Sequence, residues 1–107
     1  WVPAEASQER IVRGDIIADL QQHHVTIQGK SLELTPTEFN LLVYMMENSG
    51  RVLPHQAILQ HVWGPEYGAE SEYLRVYIGR LRQKVENDPG QPRHLITERG
   101  IGYRFQD

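Results

Sequence analysis

The residues best equipped for chemistry lie between Glu70 and Asn87, where Arg75, Arg80 and Arg82 recur at helical spacing around Gly79. On a wheel of 100° per residue with Arg75 at zero, Arg82 falls at about -20°, Gly79 at about 40°, Val76 at about 100° and Arg80 at about 140°. Leu74, Ile78, Leu81 and Val85 occupy a separate arc of about 60°, with Tyr77 on its margin. One side of the helix is therefore apolar, and the outward side is basic with a glycine near its centre. A guanidinium carries its donors in a planar fork that matches a phosphate or the O6 and N7 atoms of guanine, and a DNA major groove admits one helix. Glycine in that row lets a backbone come close.

Catalytic chemistry finds less support. The five histidines, His23, His24, His55, His61 and His94, form no i, i+4 pair beside a carboxylate, so no helical metal site is expected. The chain lacks a nucleophile elbow, a phosphate-cradling glycine loop and paired carboxylates on an apolar wall, so the expectation is no enzyme, no cofactor and no metal. Cysteine is absent, which rules out a disulfide framework and fits a reducing cytoplasm.

The formal charge of -3 over 107 residues looks wrong for a polyanion partner until it is divided along the chain. Residues 75–104 hold seven basic side chains against three acidic ones, and the remainder holds four against eleven. A molecule polarised in this way presents one face to phosphates while the other stays acidic. No run approaches the roughly 18 apolar residues of a membrane span, and no basic segment followed by an apolar run opens the chain. Trp1 to Glu9 has no periodicity and reads as a linker remnant, which leaves 10–107 as one domain with a single core.

Three regions must position the basic helix. Loose alternation, broken at Gly14-Asp15 and Gly29-Lys30, predicts short antiparallel strands near 10–13, 16–20, 24–28 and 31–34. Such a meander has one apolar face and needs helices to cover it. Thr35-Pro36-Thr37-Glu38 is a capping box with proline at the first helical position, so a helix begins there. Phe39, Leu42, Val43 and Met46 form its buried stripe, and Gly50 stops it near Ser49. Arg51-Val52-Leu53 reads as an extended connector. Pro54 opens a second helix, with Ile58, Leu59 and Val62 inward, that Trp63-Gly64-Pro65 ends. After the basic helix and Asp88-Pro89-Gly90, the runs His94–Thr97 and Gly102–Phe105 read as a β-hairpin whose tip carries Arg99 and Gly100. An arginine on such a tip, beside a basic helix, can reach an A·T-rich minor groove. The fold class is α+β: a winged helix-turn-helix with an N-terminal four-stranded antiparallel sheet, three helices and a C-terminal hairpin wing.

Four segments now stand in a telling order: Leu34–Leu42, Val62-Trp63-Gly64, Tyr77–Glu86 and Ile96–Phe105. Together they resemble the OmpR/PhoB-type effector domain of bacterial response regulators over nearly the whole chain after the linker. Within that family, Leu74–Ile78, Ile96-Thr97-Glu98 and Gly100–Phe105 most resemble regulators of potassium-transporter genes. The resemblance implies sequence-specific double-stranded DNA binding with the third helix in the major groove and the wing in the minor groove. Carried over by position, Arg75 and Arg82 would face bases or phosphates, Arg80 and Tyr77 would hold the DNA backbone, and Arg99 would enter the minor groove beside Gly100. Thr97 and the Trp63 indole would donate to phosphates. The loop 64–70 corresponds to a segment that touches RNA polymerase. The resemblance also implies head-to-tail dimers on direct repeats, a separate receiver domain and a sensor kinase, with no membrane involved. Two positions depart from relatives: Glu72 and Gly79 stand where some place basic residues. The competing reading is a winged helix that binds a protein partner, although such a face would carry apolar or aromatic anchors where this one carries arginines.

Overall fold

A computed structural model describes residues 10–107. The linker reading for residues 1–9 lies outside the described residues. Four short strands come first: β1 (Arg10–Arg13), β2 (Ile16–Asp19), β3 (His24–Ile27) and β4 (Lys30–Leu32), paired antiparallel in that order. Alternation places Ile16 and Ala18 of β2 and Val25 of β3 in the core, while Asp19 and Thr26 stay partly exposed. The β3–β4 turn is Gln28-Gly29, both at positive φ (52° and 81°), one residue earlier than the sequence suggested. Leu34 falls beyond the last strand and packs against the core from the linker into the first helix.

Helix α1 (Pro36–Glu47) begins with the expected reciprocal cap. The Glu38 amide donates to Thr35 Oγ1 at 3.2 Å, and the Thr35 amide donates to Glu38 Oε1 at 3.0 Å. The buried face is wider than the stripe read from the sequence, because Leu41 and Met45 join Phe39, Leu42 and Met46 in the core while Val43 is only partly covered. That breadth follows from position: α1 packs against β1, both other helices and the C-terminal sheet, so it has little solvent side. Its last turn ends at Glu47, earlier than Ser49, where the Asn48 side chain donates to the Tyr44 carbonyl and Arg13 Nε donates to the Met46 carbonyl.

The segment after α1 is the main difference from the sequence reading. Val52–Pro54 is a strand, β5, and not a connector. It pairs antiparallel with the last strand, so the hairpin is part of a three-stranded sheet of order β5-β7-β6. Pro54 ends β5 and serves as the N-cap of α2 (His55–Val62), so the helix begins one residue later than expected. Helix α3 (Ser71–Val85) buries Leu74, Ile78, Leu81 and Val85 as the wheel required. β6 (Leu95–Glu98) and β7 (Gly102–Phe105) close the chain, with β6 one residue later than read. Gly102 is dictated by the extra strand: a Cβ there would drive into the Leu53 carbonyl of β5. No helix among the described residues is long and apolar enough to cross a membrane.

Candidate nucleic-acid interface

Helix α3 and the β6–β7 hairpin form the basic end of the molecule, and their relative placement depends on Arg82. Its Nε and Nη2 donate to the Leu95 carbonyl at 3.1 and 2.8 Å, and Nη2 also donates to Thr97 Oγ1 at 2.7 Å. The guanidinium lies 6.0 Å from the centroid of the Tyr103 ring, whose phenol is pushed above its usual pKa by burial, against the opposing pull of Arg82 and Arg75. The wheel placed Arg82 beside Arg75 on the outward row. The fold instead turns it sideways onto the first strand of the hairpin, because β6 supplies two acceptors within reach. Sequence spacing alone gives no sign of that partner.

The other cations sort by partner. Lys84 Nζ donates to Glu38 Oε1 at 2.7 Å, tying α3 to the first turn of α1. Burial pushes the Glu38 carboxyl up, but Lys84 and the Thr35 amide and hydroxyl outweigh it, and the net pKa lies below the usual value. Arg104 Nε donates to Glu98 Oε2 at 2.7 Å across the hairpin. Arg75 makes only a loose approach to Glu72, 3.6 Å between two side chains that are 74% and 86% exposed, so both remain available. A surface pair of that geometry contributes little. Arg80 and Arg99 are exposed. Among the described residues neither forms an ion pair.

Arg80 rests 5.0 Å from the centroid of the Tyr77 ring, which orients the guanidinium along the flank of α3. Tyr77 in turn packs against Trp63 and Tyr73, the three ring centroids 5.1 to 5.3 Å apart. The neighbouring Tyr73 hydroxyl, then burial, pushes the Tyr77 phenol above its usual value. This aromatic cluster closes the end of the α2–α3 loop. Within that loop the Glu70 carboxylate accepts from the Gly68 and Ala69 amides, both at 2.9 Å, and these bonds hold its pKa low.

At the hairpin tip, Arg99, Gly100 and Ile101 span the turn, closed by the Ile101 amide donating to the Glu98 carbonyl at 3.0 Å. Gly100 adopts φ 75° there, the left-handed conformation that a three-residue hairpin loop requires. Thr97 is exposed beside it, accepting from Arg82 and keeping its own hydroxyl proton. At the base of the hairpin, the nearly buried Glu86 carboxylate accepts from the Arg93, His94 and Leu95 amides at 2.8, 2.9 and 2.8 Å. That anchor was missed in the sequence, where Glu86 counted only as one of the three acidic residues within 75–104.

Known proteins place this arrangement. Residues 29–105 match the family described as "Transcriptional regulatory protein, C terminal". The chain belongs to that family and is a winged-helix DNA-binding domain of the OmpR/PhoB response-regulator type. It is similar to the KDP operon transcriptional regulatory protein KdpE of Escherichia coli K12, 48% identical over 85% of this chain and 40% of that protein. The transcriptional regulatory protein KdpE of Mycobacterium tuberculosis H37Rv is 43% identical over 96% of this chain and 46% of its own length. This chain thus spans less than half of these relatives. Among solved structures, the OmpR/PhoB homologue DrrB of Thermotoga maritima superposes with a TM-score of 0.83 at 30% identity, over 92% of this chain and 45% of that one. The Klebsiella pneumoniae RstA DNA-binding domain, solved in complex with its RstA box, gives 0.84 at 26% identity over 92% and 97%.

Proposed function

We propose that residues 10–107 act as one module, the output domain of a two-component response regulator, that reads double-stranded DNA with α3 in the major groove and the β6–β7 wing in the flanking minor groove. The observation that carries this reading is the division of the cations. Arg82, Lys84 and Arg104 are engaged within the protein. Arg75, Arg80 and Arg99 project from two elements that Arg82 ties together. In this reading Arg75 contacts base edges or phosphates, Arg80 and Tyr77 hold the DNA backbone, and Arg99 enters the minor groove from the turn that Gly100 permits. Thr97 and the Trp63 indole donate to phosphates. We assign Arg82 to positioning the wing, a role distinct from the contact with bases or phosphates that the family resemblance implies for it.

The relatives extend the proposal to the whole protein. The KdpE likeness supports control of potassium-transport genes, in a bacterial cytoplasm and without catalysis. A receiver domain answering to a sensor kinase would join the domains head to tail on direct repeats, and the loop 64–70 would meet RNA polymerase. Residues 1–9 would serve as linker to the receiver.

Selection of bound duplexes from a random DNA pool tests the reading. A direct repeat with half-sites about one helical turn apart is the expected product. On that duplex Arg75→Ala loses about 1–3 kcal/mol and relaxes one base position, while Arg80→Ala weakens selected and random duplexes alike. No enrichment from a folded domain would contradict the proposal and favour a protein partner.

A further inference from the structure

Gly79 lies in the middle of a 15-residue helix, where glycine is the least favourable residue after proline. The fold gives no reason for it. A Cβ built at Gly79 meets no atom within 4 Å, and its φ is not among the positive values in the chain. The contrast with two other glycines is direct: Gly102 is forced by the Leu53 carbonyl, and Gly100 by its φ of 75°.

The position on the helix supplies a reason. The buried arc of Leu74, Ile78, Leu81 and Val85 is centred at about -90° on the wheel that sets Arg75 at zero. The row opposite it contains Glu72, Val76, Gly79 and Gln83, at about 60°, 100°, 40° and 80°. Glu72, Val76 and Gln83 are all exposed, Val76 at 51%. Gly79 is therefore a gap in the side chains that face straight out, with helix backbone as its floor.

We propose that Gly79 is a specificity-determining position: its missing side chain lets the outer face of α3 seat against the edges of the base pairs, bringing Val76 and Gln83 to them. The inference rests on the DNA-binding reading above and names the part of α3 that reads sequence. A longer side chain at Gly79 holds the helix off the groove floor, while the phosphate contact of Arg80, on a longer and more flexible stem, survives a small outward shift. Loss of binding is then selective for the cognate duplex.

The experiment compares the parent domain with Gly79→Ala and Gly79→Leu by thermal melting and by titration of a duplex selected from the random pool and a random duplex. Both replacements are strong helix formers, so folding is retained, and Gly79→Ala raises the melting temperature by about 4 °C or more. Affinity for the selected duplex falls about 10-fold in Gly79→Ala and further in Gly79→Leu, while affinity for the random duplex stays within about twofold. Selected-duplex affinity within about twofold of the parent in both variants, or an equal loss on both duplexes, overturns the inference. So does a fall in melting temperature with Gly79→Ala, since the fold itself would then need the glycine. A parent domain that prefers no duplex refutes the DNA reading and this inference together. A parent with clear preference and indifferent variants refutes only the role of Gly79.

Discussion

Replacing Arg82 separates two roles for an arginine on α3. Arg82→Ala removes three donor contacts to two acceptors, the Leu95 carbonyl and Thr97 Oγ1. Thr97 is exposed and rehydrates, so its share of the loss is small. The Leu95 carbonyl belongs to a fully buried residue and loses a charged donor. A hydrogen bond to a charged group contributes about 1.5–3 kcal/mol, and the half-buried position of Arg82 puts the expected destabilisation near 2 kcal/mol. For a domain of this size that is a fall of about 10 °C in melting temperature. Arg82→Lys keeps the charge but cannot bridge both acceptors in a planar fork, so it recovers about half of the loss. Urea denaturation followed by tryptophan fluorescence, with DNA titrations on the same samples, provides the assay. Loss of stability in Arg82→Ala, with specific binding reduced at the wing-side flank, agrees with a residue that sets the wing angle. An unchanged unfolding midpoint together with lost binding would refute this reasoning and return Arg82 to direct DNA contact.

Other residues give sharper but narrower tests. Glu38→Gln keeps an acceptor for the cap but removes the charge that holds Lys84, and is expected to cost about 1–2 kcal/mol at neutral pH. Because folded Glu38 titrates below its unfolded value of 4.5, the contribution is complete above that pH and fades as pH falls through the lower folded value. Denaturation midpoints of the two proteins should therefore converge in acid, and a constant gap would rule the charge out as the cause. Gly102→Ala forces β5 and β7 apart and is expected to cost about 3 kcal/mol, whereas Gly100→Ala costs about 1 kcal/mol for its φ alone. Equal melting temperatures for those two variants would argue against the close approach of Leu53. Arg99→Ala is expected to reduce affinity most on duplexes with A·T-rich flanks, and titrations indifferent to flank composition would remove the wing from the minor groove.

What could be read from the sequence was whatever a single segment specifies. The Thr35 capping box, the apolar arc of α3 and the alternation of β2 and β3 each encode their own geometry, and each matches the fold. What could not be read were the bonds between distant segments. Arg82 appears identical to Arg75 on a helical wheel until β6, more than ten residues later, offers it a carbonyl. Glu86 gains its role only when three amides of 93–95 curl around it, and Lys84 only when α1 brings Glu38 alongside. Val52–Pro54 is too short to show a period, and the best available hint was Gly102, a glycine in a strand that implies a close backbone neighbour. The breadth of the α1 core face likewise depends on its being surrounded, which no local pattern expresses.

The most direct measurement of the central claim is the affinity of the isolated domain for a selected duplex and for a random one, each as a function of salt. With Arg75, Arg80 and Arg99 as the principal DNA-facing cations, the logarithm of the association constant should fall against the logarithm of salt with a slope of about -2 to -3, and the selected duplex should bind more tightly at every salt concentration. A flat salt dependence, or identical affinity for the two duplexes, would contradict the assignment of α3 and the wing as a DNA-reading surface.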